Sequence, residues 1–165
     1  MQIPRAMLAG VLLCIAAPAP AQTAMPFGGL KHDSSQQVEV SADTLRVDQA
    51  SGTATFAGNV VVGQGTLRLA ADSITVFYAG EDGGGSVSRL EAAGNVTLTN
   101  GAEAAEAQTA IYDVATGMVS MTGDVLLTQD GNALAGQELA IDLNAGTAEM
   151  KGRVSTILRP TKGDE

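Results

Sequence analysis

One short motif, repeated four times, constrains this chain more than any other feature in it. Glycines at 58, 94, 123 and 152 are each followed two residues later by a valine, Val60, Val96, Val125 and Val154. Self-similarity at a fixed period is the mark of a repeated supersecondary unit. The spacings are 36, 29 and 29 residues, and the longer one contains the Gly-rich stretch Ala79 to Gly85, so the underlying period is 29. Turns with a second glycine lie upstream of the motif (Asp48 with Gly52, Asp113 with Gly117, Asp142 with Gly146), and a different turn follows it, as in Gly63, Gln64, Gly65 and in Asn100, Gly101.

Between turns the apolar residues alternate, as in Ala54, Phe56, Val60, Val62 and in Val119, Met121, Val125, Leu127. That is the period of a strand with one buried face, and the Thr- and Val-rich composition agrees with it. Hairpin pairing that keeps every apolar residue on one face sets Val47 against Ala54 and Leu45 against Phe56, then Val62 against Leu67 and Val60 against Leu69. The chain then reads as eight antiparallel passes, at 36–48, 53–63, 66–78, 86–99, 103–113, 118–128, 132–143 and 147–158.

Passes of this length would reach about 36 to 46 Å if straight, against ~17 to 20 Å for an ordinary strand. Each must therefore bend. Descending passes carry Gly58, Gly94, Gly123 and Gly152 at mid-length, where two sheet halves would converge and a side chain would not fit. Ascending passes change parity at the same height, from Ala42 to Leu45, Ala71 to Ile74 and Gly136 to Leu139, which predicts a bulge residue inserted on those passes. The register sets Asp43 opposite Gly58 and Gly58 opposite Ala71, aligning the bends as one crease. The predicted fold is all-β: an antiparallel meander folded into a V-shaped open β-jelly roll of about sixteen short strands. A closed barrel or a compact sandwich with a filled core fits the same pattern.

The amino terminus reads as an export signal: Met1 to Arg5 is cationic, Ala6 to Ala17 apolar, and Ala19, Pro20, Ala21 a small-residue cleavage site. The apolar run, about 12 residues, is short of the roughly 20 a spanning helix needs. The expected organisation is a signal peptide at 1–21, a flexible leader at 22–35, one β-domain at 36–159 and a flexible tail at 160–165, with the mature chain starting at Gln22 in the periplasm. Cys14, the single cysteine, leaves with the signal, so neither a disulfide nor a thiolate site is expected. Arg5 leaves too, and the eight remaining cations face eighteen acids. A net charge of about −10 excludes nucleic acid, whose phosphates are bound by neutralising cations.

Catalytic chemistry finds no foothold. The acids sit in turns (Asp48, Asp113, Asp142) or at the crease facing outward (Asp43, Asp72), where turn hydrogen bonding and solubility explain them. His32 is the sole histidine, too few for a triad or a multi-histidine metal site. The Ala79 to Gly85 stretch has no lysine and opens no helix, so it is not a phosphate-cradling loop. No enzyme activity, metal or cofactor is expected. What remains is the interior stripe of Leu45, Val47, Phe56, Val60, Val62, Leu67, Leu69, Ile74, Val76, Leu90, Val96, Leu98, Met121, Val125, Leu127, Leu134, Leu139, Ile141, Met150 and Val154. Branched aliphatics and Met with almost no aromatic anchor favour flexible hydrocarbon by area, at most about 0.8 kcal/mol per buried methylene.

Several of these residues carry a family resemblance. Val40, Ser41, Ala42, Asp43, then Phe56, Ala57, Gly58, Asn59, Val60, Val61, Val62 with Gly65, and the echo Ala93, Gly94, Asn95, Val96, Thr97, Leu98 resemble the LptA/OstA-like family of periplasmic lipopolysaccharide transport proteins. The likeness runs from about Gln36 to Leu158. It implies an open β-jelly roll that shields the acyl chains of lipopolysaccharide and passes it from an inner-membrane export complex to an outer-membrane translocon. It also implies head-to-tail self-association by edge-strand addition. An unclosed sheet has two unpaired edges that invite such addition, here the first pass from Gln36 to Asp48 and the last from Thr147 to Leu158. Lys151 and Arg153 on the last pass fit equally well as edge charges that discourage promiscuous pairing. The chain is more acidic and poorer in aromatics than the resemblance implies, which leaves Arg46, Arg68 and Arg89 as isolated candidates for phosphate contact. A structural β-repeat with a filled core, or a membrane-anchored partner of the same transport system, are the competing readings.

Overall fold

The structure is a computed structural model that describes residues 25–26, 36–80 and 85–157. The proposed signal peptide, His32 and the tail from 158 lie outside the described residues. Eleven strands and no helix occur among those described. They are β1 (Met25–Pro26), β2 (Val38–Ser41), β3 (Thr44–Asp48), β4 (Thr53–Gln64), β5 (Leu67–Tyr78), β6 (Val87–Asn100), β7 (Glu103–Asp113), β8 (Met118–Gln129), β9 (Asn132–Asp142), β10 (Thr147–Lys151) and β11 (Ser155–Ile157). All pair antiparallel in one sheet of order β1-β10-β9-β8-β7-β6-β5-β4-β2, with β3 also on β4 and β11 also on β9. The path never returns to close on itself, so the fold is the open, creased jelly roll. The six inner passes bend without breaking, and only the outer two split, into β2 with β3 and β10 with β11. Ten hydrogen-bonded strands, β2 to β11, thus carry the sixteen straight segments.

The turns explain the order. At three of them an aspartate closes an Asx turn: Asp48 Oδ1 accepts from Ala50 N at 3.0 Å, Asp113 Oδ1 from Thr116 N at 2.9 Å, and Asp142 Oδ1 from Asn144 N at 2.9 Å. The backbone and side-chain bonds from Thr116 hold the Asp113 carboxyl below its ordinary range. Register around the first hairpin is as expected, with Val47 on Ala54 and Leu45 on Phe56. Around the next it differs by two residues: Gln64 pairs with Leu67, Val62 with Leu69 and Val60 with Ala71. The loop is a tight two-residue turn at Gly65 and Thr66. A shift of two preserves parity, which is why the buried face stays the same.

The crease is built differently from the expectation. Parity does change on the ascending strands, but the surplus residue is on the descending ones. Between Ala57 and Val60 the pair Gly58 and Asn59 faces a single residue, Asp72, and the same shift recurs at Ala93/Val96 and Thr122/Val125. Both members of each pair are left-handed: φ is +80° and +47° at Gly58 and Asn59, and +80° and +48° at Gly94 and Asn95. Asp124 and Arg153 repeat the second position, at +46° each. Gly, Asn and Asp reach this region at least cost.

A side chain at the glycine is excluded by the preceding pass rather than by the opposite half-sheet. A Cβ on Gly58 would sit 2.5 Å from Asp43 Oδ2, and one on Gly94 would strike the Asp72 carboxylate. Those carboxylates in turn accept from Asn59 Nδ2 at 2.8 Å and Asn95 Nδ2 at 2.9 Å. At Gly123 and Gly152 the aliphatic stems of Gln108 and Gln137 fill the same place, at 2.8 and 2.7 Å from the missing Cβ. Asp43 and Asp72 thus brace the crease while facing outward.

Gly94→Ala should therefore cost about 2 to 4 kcal/mol in urea unfolding, from left-handed strain plus a displaced carboxylate. Gly101→Ala, also left-handed but with nothing within 4 Å, should cost only about 1 kcal/mol. Equal costs at the two sites would remove the brace from the account.

Candidate functional site

Folding along the crease turns the inner faces of the two half-sheets toward each other. Val62, Leu67, Leu69 and Leu98 from one half and Leu90, Ala110, Tyr112 and Val119 from the other line a single gap of about 20 Å³. By that measure one water needs roughly 10 to 15 Å³, so the gap has room for about one water and no more. The interior is narrow and apolar in this structure, with no room for a hydrocarbon chain between the halves as they stand.

Fifteen of the twenty residues assigned to the interior are buried there: Val60, Val62, Leu67, Leu69, Ile74, Val76, Leu90, Val96, Leu98, Met121, Val125, Leu127, Leu134, Leu139 and Ile141. Phe56 and Met150 are half-buried against them. Leu45, Val47 and Val154 are not inside: they are 56 %, 62 % and 49 % exposed. All three belong to the outermost passes, where no further half-strand among the described residues covers them. They mark the two ends of the trough instead of its floor.

The interior also contains residues that sequence reasoning missed. Tyr112 and Leu143 are buried, as are five alanines at 92, 105, 107, 110 and 148, while Ala54, Ala71 and Val119, already on the alternation read from sequence, are buried with them. The Ala-rich β7 has the same parity shift as the other ascending strands β5 and β9, from Ala107 to Ala110, but weak hydrophobicity hid it. The phenolic oxygen of Tyr112 is buried without a hydrogen-bond partner. Burial, with the adjacent Asp113 carboxylate adding to it, pushes the phenol above its ordinary value.

At one lip of the fold the inward face turns polar. Gln64, Asn100 and Glu103 are buried at the strand ends, each on the parity of the apolar residues beside it. Gln64 Nε2 donates to Gln36 O at 2.8 Å, Thr66 Oγ1 to Asn100 Oδ1 at 2.6 Å, and Gln129 Nε2 to Glu103 Oε1 at 2.6 Å. Extending the alternation two residues past Val62 and Leu98, and two residues back from Ala105, would have found this row, but turns end the apolar signal first.

The arginines considered for phosphate contact are scattered. Arg68 Nη1 donates to Gly65 O at 2.6 Å and Leu67 O at 2.8 Å. Arg89 pairs with Glu91 at 3.0 Å and lies over the Phe77 ring at 4.3 Å, while Arg46 is exposed on β3. They form no cationic rim. Among the described residues no three His, Cys, Asp or Glu side chains gather as metal ligands.

Tyr112→Phe should leave stability unchanged or raise it by about 1 kcal/mol, because it deletes an unpaired buried hydroxyl and keeps the ring. The raised phenol predicts stability that is full below about pH 10 and falls as pH rises through the folded-state value. Chemical denaturation against pH should show that alkaline fall reduced in the variant, whereas destabilisation by 2 kcal/mol or more would mean the hydroxyl has a partner.

Comparison with known proteins places this geometry. A protein of Rhizobium meliloti (strain 1021) is 32 % identical over 149 residues, 84 % of this chain and 79 % of that one. The lipopolysaccharide export system protein LptA of Escherichia coli (strain K12) is 28 % identical over 148 residues, again 84 % and 79 %. The crystal structure of LptH, described as the LptA homologous periplasmic component of the lipopolysaccharide transport device of Pseudomonas aeruginosa, superposes with a TM-score of 0.69 at 20 % identity, covering 78 % of this chain and 99 % of that one. Residues 39–147, from the first edge strand to the last turn, match the family described as LptA/(LptD N-terminal domain) LPS transport protein, and the chain belongs to that family.

Proposed function

We propose that this chain is a periplasmic bridge protein that binds lipopolysaccharide, shelters its lipid A acyl chains between the two half-sheets, and passes it from the inner-membrane export complex toward the outer-membrane translocon. The observation that carries the reading is an apolar interior that runs from one unsealed edge of the sheet to the other. The two halves are joined along the crease and by packing, so separation at the lips exposes apolar surface that an acyl chain would cover again. Hydrocarbon replaces hydrocarbon, at little net cost in buried area.

A photo-crosslinker at Leu69 or Leu127 should capture lipopolysaccharide in cells. Recovery of protein self-adducts alone would sink the proposal and favour the second reading, a structural repeat with a permanently dry core, which draws on the same tight packing.

The ends of the trough support end-to-end assembly with further copies or with partners of the same system. β3 carries exposed Leu45 and Val47 at one end, and Val154 with Ile157, 69 % exposed, lie at the other. β1 already lies antiparallel on β10, Met25 on Ala148 and Pro26 on Thr147, which illustrates how that edge accepts a strand. Lys151 pairs loosely with Glu149 on its own strand, at 3.7 Å, so its charge leaves the edge available. Light-scattering mass should rise with concentration, and Leu45→Lys or Ile157→Asp should shift the rise to about tenfold higher concentration. A constant monomer mass would count against edge-to-edge growth.

A further inference from the structure

The polar lip holds one group that the fold leaves unsatisfied. Glu103 is 6 % exposed; its Oε1 accepts from Gln129 Nε2 at 2.6 Å, while its Oε2 is buried with no partner. A buried carboxylate oxygen without a donor is costly, and more so than a neutral acceptor. The side chain borders a cavity of about 430 Å³ whose other walls include Thr66, Asn100, Gln129 and Asp130. Two residues inward along the same face lie Leu98, Ala105 and Leu127, all buried in the apolar core. The polar cavity therefore adjoins the end of the same inner face that the buried aliphatics line.

We propose that Glu103 Oε2 is the acceptor for a hydrogen-bond donor, an amide N–H or a hydroxyl, at the polar end of an acyl chain whose tail lies along Leu98 and Leu127. This deepens the lipid-bridge reading and rests on it. The alternatives fit the site less well. An anionic headgroup would meet two carboxylates, Glu103 and Asp130, at close quarters. A metal ion would find only those two acids, since no three ligating side chains gather among the described residues. A neutral donor satisfies Oε2 without adding charge, and a charge-assisted bond of that kind is stronger than one to a neutral acceptor. The lip then reads the junction between chain and headgroup, where the uniform apolar interior has no means to discriminate.

The test uses two probes that differ by one atom, N-ethyltetradecanamide and ethyl tetradecanoate, with binding to the mature chain followed by displacement of a polarity-sensitive dye. The informative quantity is the amide-to-ester affinity ratio, which cancels differences in packing between variants. Glu103→Leu should lower that ratio about tenfold relative to the native chain, and Glu103→Gln, which keeps the shape and a neutral acceptor, about threefold. The Gln variant decides the matter if the Leu variant does not fold. Both probes bound with an unchanged ratio would mean that solvent alone serves Oε2, which overturns this inference and leaves the bridge reading standing. Failure of the native chain to bind either probe would overturn both.

Discussion

The structure depends on one constraint: a sheet of long strands must fold back on itself without losing its ladder of hydrogen bonds. Two successive left-handed residues on each descending strand accomplish this. They place two residues against one and bend the pass, while the pairing resumes on the far side with the apolar face still inward. The preceding pass supplies a side chain that occupies the space a Cβ would need. Position, conformation and neighbour are coupled, so four such sites in register make one crease across the sheet.

From that crease follow the interior and its limits. Each inner pass is covered by the facing half-sheet, so its aliphatic residues are almost wholly buried. The outermost passes lack such cover and leave Leu45, Val47 and Val154 in solvent. The same geometry that makes a closed interior along the middle makes adhesive ends. An acidic surface keeps such a protein soluble despite these ends, and the arginines, each engaged locally or isolated, do not gather into an anion site.

The polar row at the lip shows how a repeat accommodates local chemistry. Gln64, Asn100 and Glu103 stand on the parity of the buried aliphatics, and their hydrogen bonds run between neighbouring strands. Amide groups satisfy one another there. Glu103 has one oxygen more than its neighbours serve.

Sequence alone determined the strand count per repeat, the parity of the buried face and the height of the crease, because these follow from local periodicity and from the recurrence of glycine every 29 residues. Even the two-residue error at the Gly65 turn left the face intact, since register moves in steps that parity does not see. What only the tertiary structure decided was which inward residues are covered. Leu45 and Leu69 look alike in sequence, yet one is bare and the other buried, because burial depends on whether a half-sheet lies opposite. The same holds for Asp72, an outward acid by pattern that proves to be the brace of Gly94 and Asn95, and for Glu103, whose unpaired oxygen depends on neighbours 26 residues away along the chain. Contacts of that range are set by how the sheet folds and not by the residues beside them.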